Sequence, residues 1–234
     1  MIGDSAGVHV VTLSFDDGFA SSSLRTAEIF ERHGLVAELN IVATGHHTEP
    51  DDAWHQGWRK GDFSLWNELK RRGHHVMPHG YRHANKAELP LADAQRLIER
   101  CLDVFAAELE GFDASESSFA FPYNQSSPEL EGWLSRRVRA FRTGGDPVMP
   151  LPRRGEQRVT CVSFGPERCD AHLVQTIESF VAGPSGWLCY NLHGLDDEGW
   201  GPVGGDTLDR LLERLVERGV RVLPITAALD LTAA

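Results

Sequence analysis

Short runs of apolar and β-branched residues recur along the 234-residue chain, and between most of them lie longer stretches whose apolar positions repeat every three to four residues. The runs read as strands: VHVVTLSF from Val8, LVAELNIV from Leu35, HHVM from His74, SSFAF from Ser117, RAFR from Arg139, VTCVSF from Val159, WLCYNL from Trp187 and VRVLPI from Val220. The longer stretches read as amphipathic helices. In TLDRLLERLVERG, Leu208, Leu211, Leu212, Leu215 and Val216 share one helical face and Gly219 supplies the stop. Between about Leu91 and Leu109 the inward positions are Leu97, Ile98, Cys101, Leu102, Phe105 and Leu109. Alternating strands and helices predict parallel strands with crossover helices. Seven or eight strands in this length point to a distorted (β/α) barrel of about seven strands, a single domain over residues 1–234. The competing arrangement is an open doubly wound sheet, which no glycine-rich dinucleotide fingerprint supports.

Composition narrows the function. With 34 acidic against 23 basic side chains the net charge is -11, which repels phosphate backbones and argues against a nucleic-acid partner. Cys101, Cys161, Cys169 and Cys189 are scattered without a CxxC pair, which suits reduced thiols better than a disulfide frame. The first residues, MIGDSAGVHVV, carry neither a positive leader nor a long apolar core, and no run is long enough to span a bilayer. The expectation is a cytoplasmic protein with no membrane partner.

In a barrel or an open sheet, reactive groups gather where strands end. The first strand ends in Asp16, Asp17 and Gly18; HHVM ends in PHGYRH; SSFAF ends in FPYN; WLCYNL ends in His193, followed by GLDDEGWG. Asp and Gly suit turns, so one such end needs no further explanation, but turn chemistry accounts poorly for four. His79 and His83 lie four residues apart, and one helix-like turn would aim both imidazoles the same way. Two histidines and a carboxylate make a three-ligand metal site with open positions. His75 and His79 have the same spacing, so spacing alone does not choose between the pairs.

Taken in order, SFDDG (Ser14 to Gly18), HGYRH (His79 to His83), FAFPYN (Phe119 to Asn124) and YNLHG (Tyr190 to Gly194) resemble the motifs of the polysaccharide deacetylase family, also called the NodB-homology or carbohydrate esterase 4 family. The resemblance covers nearly the whole chain. It implies a NodB-like barrel and one divalent metal ion, zinc foremost, held by Asp17, His79 and His83, with His74 and His75 left to the strand. It further implies Asp16 as general base, His193 as general acid, and the backbone N–H of Tyr123 as an oxyanion donor. The implied substrate is an N-acylated amino sugar or polysaccharide. Gly18 permits a turn at which the two aspartates converge on one water. The chain departs from the family pattern in two places. Ala120 stands where the family often has an arginine that orients the base, a form shared by one branch of the family. Arg142 is the candidate replacement, against the commoner reading of an exposed or structural arginine. No clear counterpart exists for the acid that positions the histidine; Asp146, Asp196 and Asp197 are candidates.

Trp54, Trp58 and Trp66 surround the long segment after the second strand, Trp200 follows His193, and each reads first as a packing anchor and second as a sugar platform. His46 and His47 are placed to line a pocket, although loop polarity explains them equally well. Within hydrolases the alternative substrate is a small non-sugar amide or imide. Two histidines and a carboxylate also serve non-haem iron oxygenases, which need neither a second aspartate nor a distal histidine. A binding protein on a decayed scaffold would be expected to have lost ligands or His193, and none is lost.

Overall fold

The structure is a computed structural model that describes residues 7–44 and 57–231. Its elements follow the expected alternation: β1 (His9–Phe15), α1 (Ala20–Arg32), β2 (Glu38–Ile41), α2 (Phe63–Arg71), β3 (His75–Pro78), α3 (Leu91–Glu108), β4 (Ser118–Ala120), α4 (Pro128–Leu134), β5 (Ala140–Gly144), β6 (Val148–Met149), β7 (Arg158–Cys161), α5 (Asp170–Val181), β8 (Gly186–Leu192), α6 (Gly205–Glu217), β9 (Arg221–Val222) and α7 (Ile225–Leu229). Each expected strand corresponds to one of these. Among the described residues only β6 is new, because a two-residue strand carries no readable periodicity.

Seven strands run parallel in the order β1-β2-β3, then β4-β5-β7, then β8 back to β1. A parallel bridge between Val162 and Tyr190 carries β7 onto β8. Between β3 and β4 no strand pairing forms among the described residues, so the barrel is open along that seam. The side chain of His79 spans it, with Nδ1 donating to the Ala120 carbonyl at 2.9 Å. At the start of β1, β9 takes the edge that β2 takes at its end, and β6 lies antiparallel beside the start of β8.

Period-two alternation sorts the strand side chains. On β1, Val11, Leu13 and Phe15 join the large apolar cluster beneath the helices, while Val10 joins a smaller cluster with Ala140, Val159, Cys161, Trp187, Cys189 and Ile225. Thr12, Ser14 and Asp16 alternate with that outward set and are buried. Along this inner face polarity increases in the strand direction. Trp187 Nε1 donates to Thr12 Oγ1, which donates to the Leu223 carbonyl, and then come Ser14, Glu38, Asn40 and Asp16 in one hydrogen-bonded group. α7 supplies Ile225, Ala228 and Leu229 to the apolar end.

The four cysteines are free and buried. No helix among the described residues is long and apolar enough to cross a membrane. On α6, Leu208, Leu211, Leu212 and Leu215 are buried, but Val216 is 44% exposed, contrary to the expected stripe. At 100° per residue it falls about 90° from the stripe's centre, too far to reach the sheet. On α3, Ile98, Cys101, Phe105 and Leu109 are buried, with Leu97 and Leu102 half-buried at the margins. Replacing Leu212 with Ala should therefore cost about 2–5 kcal/mol in urea unfolding, whereas Val216→Ala should change stability by less than about 0.5 kcal/mol. Equal losses would show that α6 packs on a different face.

Candidate active site

β1 delivers two adjacent carboxylates to the barrel mouth, and the turn after it separates them. Asp17 and Gly18 both take positive φ, 77° and 73°, so the chain reverses before Phe19 begins the entry to α1. Non-glycine residues seldom adopt this conformation, and Asp is among those that tolerate it. A Cβ on Gly18 would approach Ile41 and Trp66 at 3.1 Å, so bulk is excluded there as well. The Asp16 amide donates to the Leu192 carbonyl at 2.9 Å, which locks the ends of β1 and β8 together.

β3 ends at Pro78, and the turn after it carries His79 and His83, whose rings lie 5.1 Å apart. His79 Nδ1 faces a carbonyl and so must carry the proton, which leaves the Nε2 lone pair directed at the aspartates, 3.7 Å from Asp17 Oδ1 and 3.6 Å from Asp16 Oδ2. That nitrogen is buried and has no hydrogen-bond partner among the described residues. Burial holds the His79 pKa well below the usual imidazole range despite the opposing pull of Asp17, so the ring stays neutral. His83 Nε2 lies 3.5 Å from Asp17 Oδ1, and one ligand atom from each of Asp17, His79 and His83 falls within 4.8 Å of the others. An orphaned, neutral imidazole nitrogen beside a second imidazole and a carboxylate fits a single divalent ion.

Two further strand ends complete a cavity of about 300 Å³ whose lining includes Asp16, Asp17, His79, His83, Tyr123 and His193. After β4, Tyr123 and Asn124 take left-handed conformations with φ of 58° and 52°, and the Tyr123 ring packs 4.6 Å from that of His83. After β8, half-buried His193 forms a T-shaped pair with Trp200, their ring centroids 5.3 Å apart. Among the described residues none of the three candidate acids hydrogen-bonds to His193. Asp146 accepts from the Val148 amide, Asp196 accepts from Arg25 and from the Gly205 amide, and Asp197 is exposed. Trp66 is a buried packing residue and Trp58 packs edge-on against Phe19, whereas Trp200 lines the cavity. His46, His47 and Trp54 lie outside the described residues.

Arg142 is fully buried rather than exposed. Its Nη2 donates to Asp16 Oδ2 at 2.5 Å and its Nη1 to Asn124 Oδ1 at 3.0 Å. In the parallel register of β4 and β5, Ala120 is paired with Arg142, so the guanidinium comes from the strand position next to the one where the family often has its arginine. Burial pushes the Asp16 pKa up, and the charge of Arg142 pulls it back. Sequence reasoning passed over Ser14, Glu38 and Asn40, which lie behind Asp16. The available signal was the alternation of polar residues, Ser14 with Asp16 and Glu38 with Asn40, within otherwise apolar strands.

Comparison with known proteins gives the family and the fold. The profile described as Polysaccharide deacetylase matches residues 3–136, more than half of the chain, and the chain belongs to that family. The family's deacetylases are hydrolases of carbon–nitrogen bonds other than peptide bonds. Among solved structures, the peptidoglycan deacetylase PdaC from Bacillus subtilis superposes with a TM-score of 0.62 at 15% identity, covering 95% of this chain and 91% of that one. A family 4 acetyl xylan esterase from Clostridium thermocellum, in complex with a cobalt ion, gives 0.59 at 16% identity, over 95% and 91% of the two chains. A family 4 pseudoenzyme from Bacillus anthracis gives 0.65 at 15%, over 98% and 68%. At these identities the likeness shows the shared fold. No curated protein sequence matches the chain.

Behind Asp16, burial raises the Glu38 pKa from the ordinary 4.5 to about 7, against the opposing hydrogen bond from the Ile225 amide. The folded state therefore keeps a proton on Glu38 that the unfolded chain releases, and this contribution to stability is lost as pH rises from about 4.5 to 7. Urea unfolding of wild type and Glu38→Gln at pH 5 and pH 8 should show the wild type losing up to about 3 kcal/mol relative to the variant. A difference independent of pH would mean that Glu38 is ionised throughout.

Proposed function

We propose that residues 1–234 form a single catalytic domain that hydrolyses an N-acetyl or related N-acyl group from an amino sugar or polysaccharide. The observation that carries this reading is the division of labour at the end of β1. Asp16 is held by Arg142, while Asp17 faces His79 and His83. Asp17, His79 and His83 would hold one divalent ion, zinc first among candidates. When bound, such an ion supplies Lewis acidity and acidifies water near neutral pH. Asp16 takes the proton from the attacking water. The Tyr123 N–H donates to the carbonyl oxygen as negative charge builds on it. His193 gives a proton to the leaving nitrogen, since an amine leaves poorly without one. The four buried, free cysteines support a reducing, cytoplasmic setting. The net charge of -11 supports partners other than nucleic acid.

One observation favours a second reading, a small amide or imide as substrate: the 300 Å³ cavity is at the lower end of small-molecule sites. A deacylation screen with defined metals, covering N-acetyl sugars, sugar nucleotides and small ureides, separates the two. An oxygenase needs neither Asp16 nor His193, and a non-catalytic protein has no use for either, so their presence in the cavity supports hydrolysis.

Asp17→Asn should lower metal content and turnover together. Asp16→Asn should retain the metal and lose about 10²–10⁴-fold in kcat. His193→Ala should match Asp16→Asn on amides yet spare an activated ester, whose leaving group needs less protonation. Full activity in Asp16→Asn, or equal metal loss in both aspartate variants, would contradict these roles.

A further inference from the structure

The Asp16 carboxylate is held on both oxygens, and the second bond comes from a residue with no place in the cavity lining. Arg142 takes Oδ2, and Asn40 Nδ2 donates to Oδ1 at 3.0 Å. We propose that Asn40 is a positioning residue for Asp16, itself braced by Ser14 and Glu38, and that this brace sets the orientation in which Asp16 transfers its proton. The inference rests on the assignment of Asp16 as the base.

Hydrogen-bond polarity fixes the arrangement. An aspartate carboxylate turns easily about its last torsion, so a single bond from Arg142 would leave that rotation open. Asn40 closes it. The same amide nitrogen donates to Ser14 Oγ at 2.6 Å, so the Ser14 hydroxyl must send its own proton elsewhere, and Glu38 Oε1 lies 3.4 Å away. Glu38 Oε2 in turn accepts from the Ile225 amide at 2.5 Å, which ties the row to the helix at the opposite end of the barrel. Flipping the Asn40 amide would set its oxygen against the Asp16 carboxylate, which has no proton to give it, so the bond to Asp16 requires the nitrogen on that side. The parallel register pairs Ser14 with Glu38 and Phe15 with Leu39, which puts Asn40 level with Asp16 on the neighbouring strand. All four side chains are buried, with at most 2% exposure, so a partner lost behind Asp16 leaves a buried polar group to be satisfied. Asn40 does not line the cavity and so acts through Asp16 alone.

The test compares Asn40→Ala, Ser14→Ala, Asp16→Asn and the Asn40→Ala/Asp16→Asn double variant. Crystal structures of wild type and Asn40→Ala come first. The expected result is an Asp16 carboxylate rotated out of its wild-type plane, and an unmoved carboxylate would overturn the proposal whatever the kinetics. With a chitin trimer and 4-nitroacetanilide as probes, Asn40→Ala should lose about 10–100-fold in kcat, with KM and metal content near wild type. Ser14→Ala should lose less, in the same pattern, and provides the kinetic arm should Asn40→Ala fail to fold. In the Asp16→Asn background, Asn40→Ala should cost nothing further. An undiminished second loss would mean that Asn40 supports the fold and not the base. Full activity of Asp16→Asn would remove the proton-transfer reading instead, leaving the crystallographic comparison to decide whether Asn40 holds Asp16 in place.

Discussion

Arg142 and Asp16 meet inside the barrel with side-chain exposures of 0% and 2%, and much of the site's geometry follows from that contact. Charges removed from water persist only where close geometry and further hydrogen bonds offset the loss of hydration, and removing one partner of such a pair costs about 3–5 kcal/mol. Here the guanidinium also reaches Asn124 and Cys161, and the carboxylate also reaches Asn40. The pair thereby separates the surroundings of two neighbouring aspartates. Asp16 is fixed toward β5, whereas the left-handed turn at Asp17 leaves its carboxylate facing the two imidazoles.

The open seam of the barrel serves the same end. Without a ladder between β3 and β4, the Ala120 carbonyl accepts from His79 Nδ1, and this bond directs the other ring nitrogen into the mouth. Ala120 thus holds the imidazole with its backbone, while Arg142, level with it on β5, supplies the guanidinium. Below them the interior grades from Asp16 through Asn40, Ser14 and Glu38 to the apolar cluster around Trp187 and Ile225. Polar side chains are concentrated at the strand ends, where chemistry can use them, and hydrocarbon fills the opposite end.

Much of this was legible in the chain. Strand rhythm predicts the barrel because alternation and helix periodicity are local signals, and the motif residues Asp16, Asp17, His79, His83, Tyr123 and His193 line one cavity. Most of what escaped reading depends on register, which no local pattern reveals. Whether Arg142 faces solvent or Asp16 is decided by its pairing with Ala120 across two strands. Val216 looked apolar enough for the stripe and fell outside it by angle alone. Ser14, Glu38 and Asn40 were visible as polar residues at period two, but their meaning depends on β1 and β2 lying side by side. None of the three candidate acids hydrogen-bonds to His193 among the described residues, and the observed neighbour of that imidazole is the Trp200 ring.

The central claim is that the two aspartates at the end of β1 have different partners, one a metal ion and the other a guanidinium. Anomalous diffraction from crystals equilibrated with zinc or cobalt tests it directly. The account predicts one peak in contact with Asp17, His79 and His83, with Asp16 still on Arg142. A peak coordinated by Asp16, or no peak at the three-residue cluster at saturating metal, would contradict it.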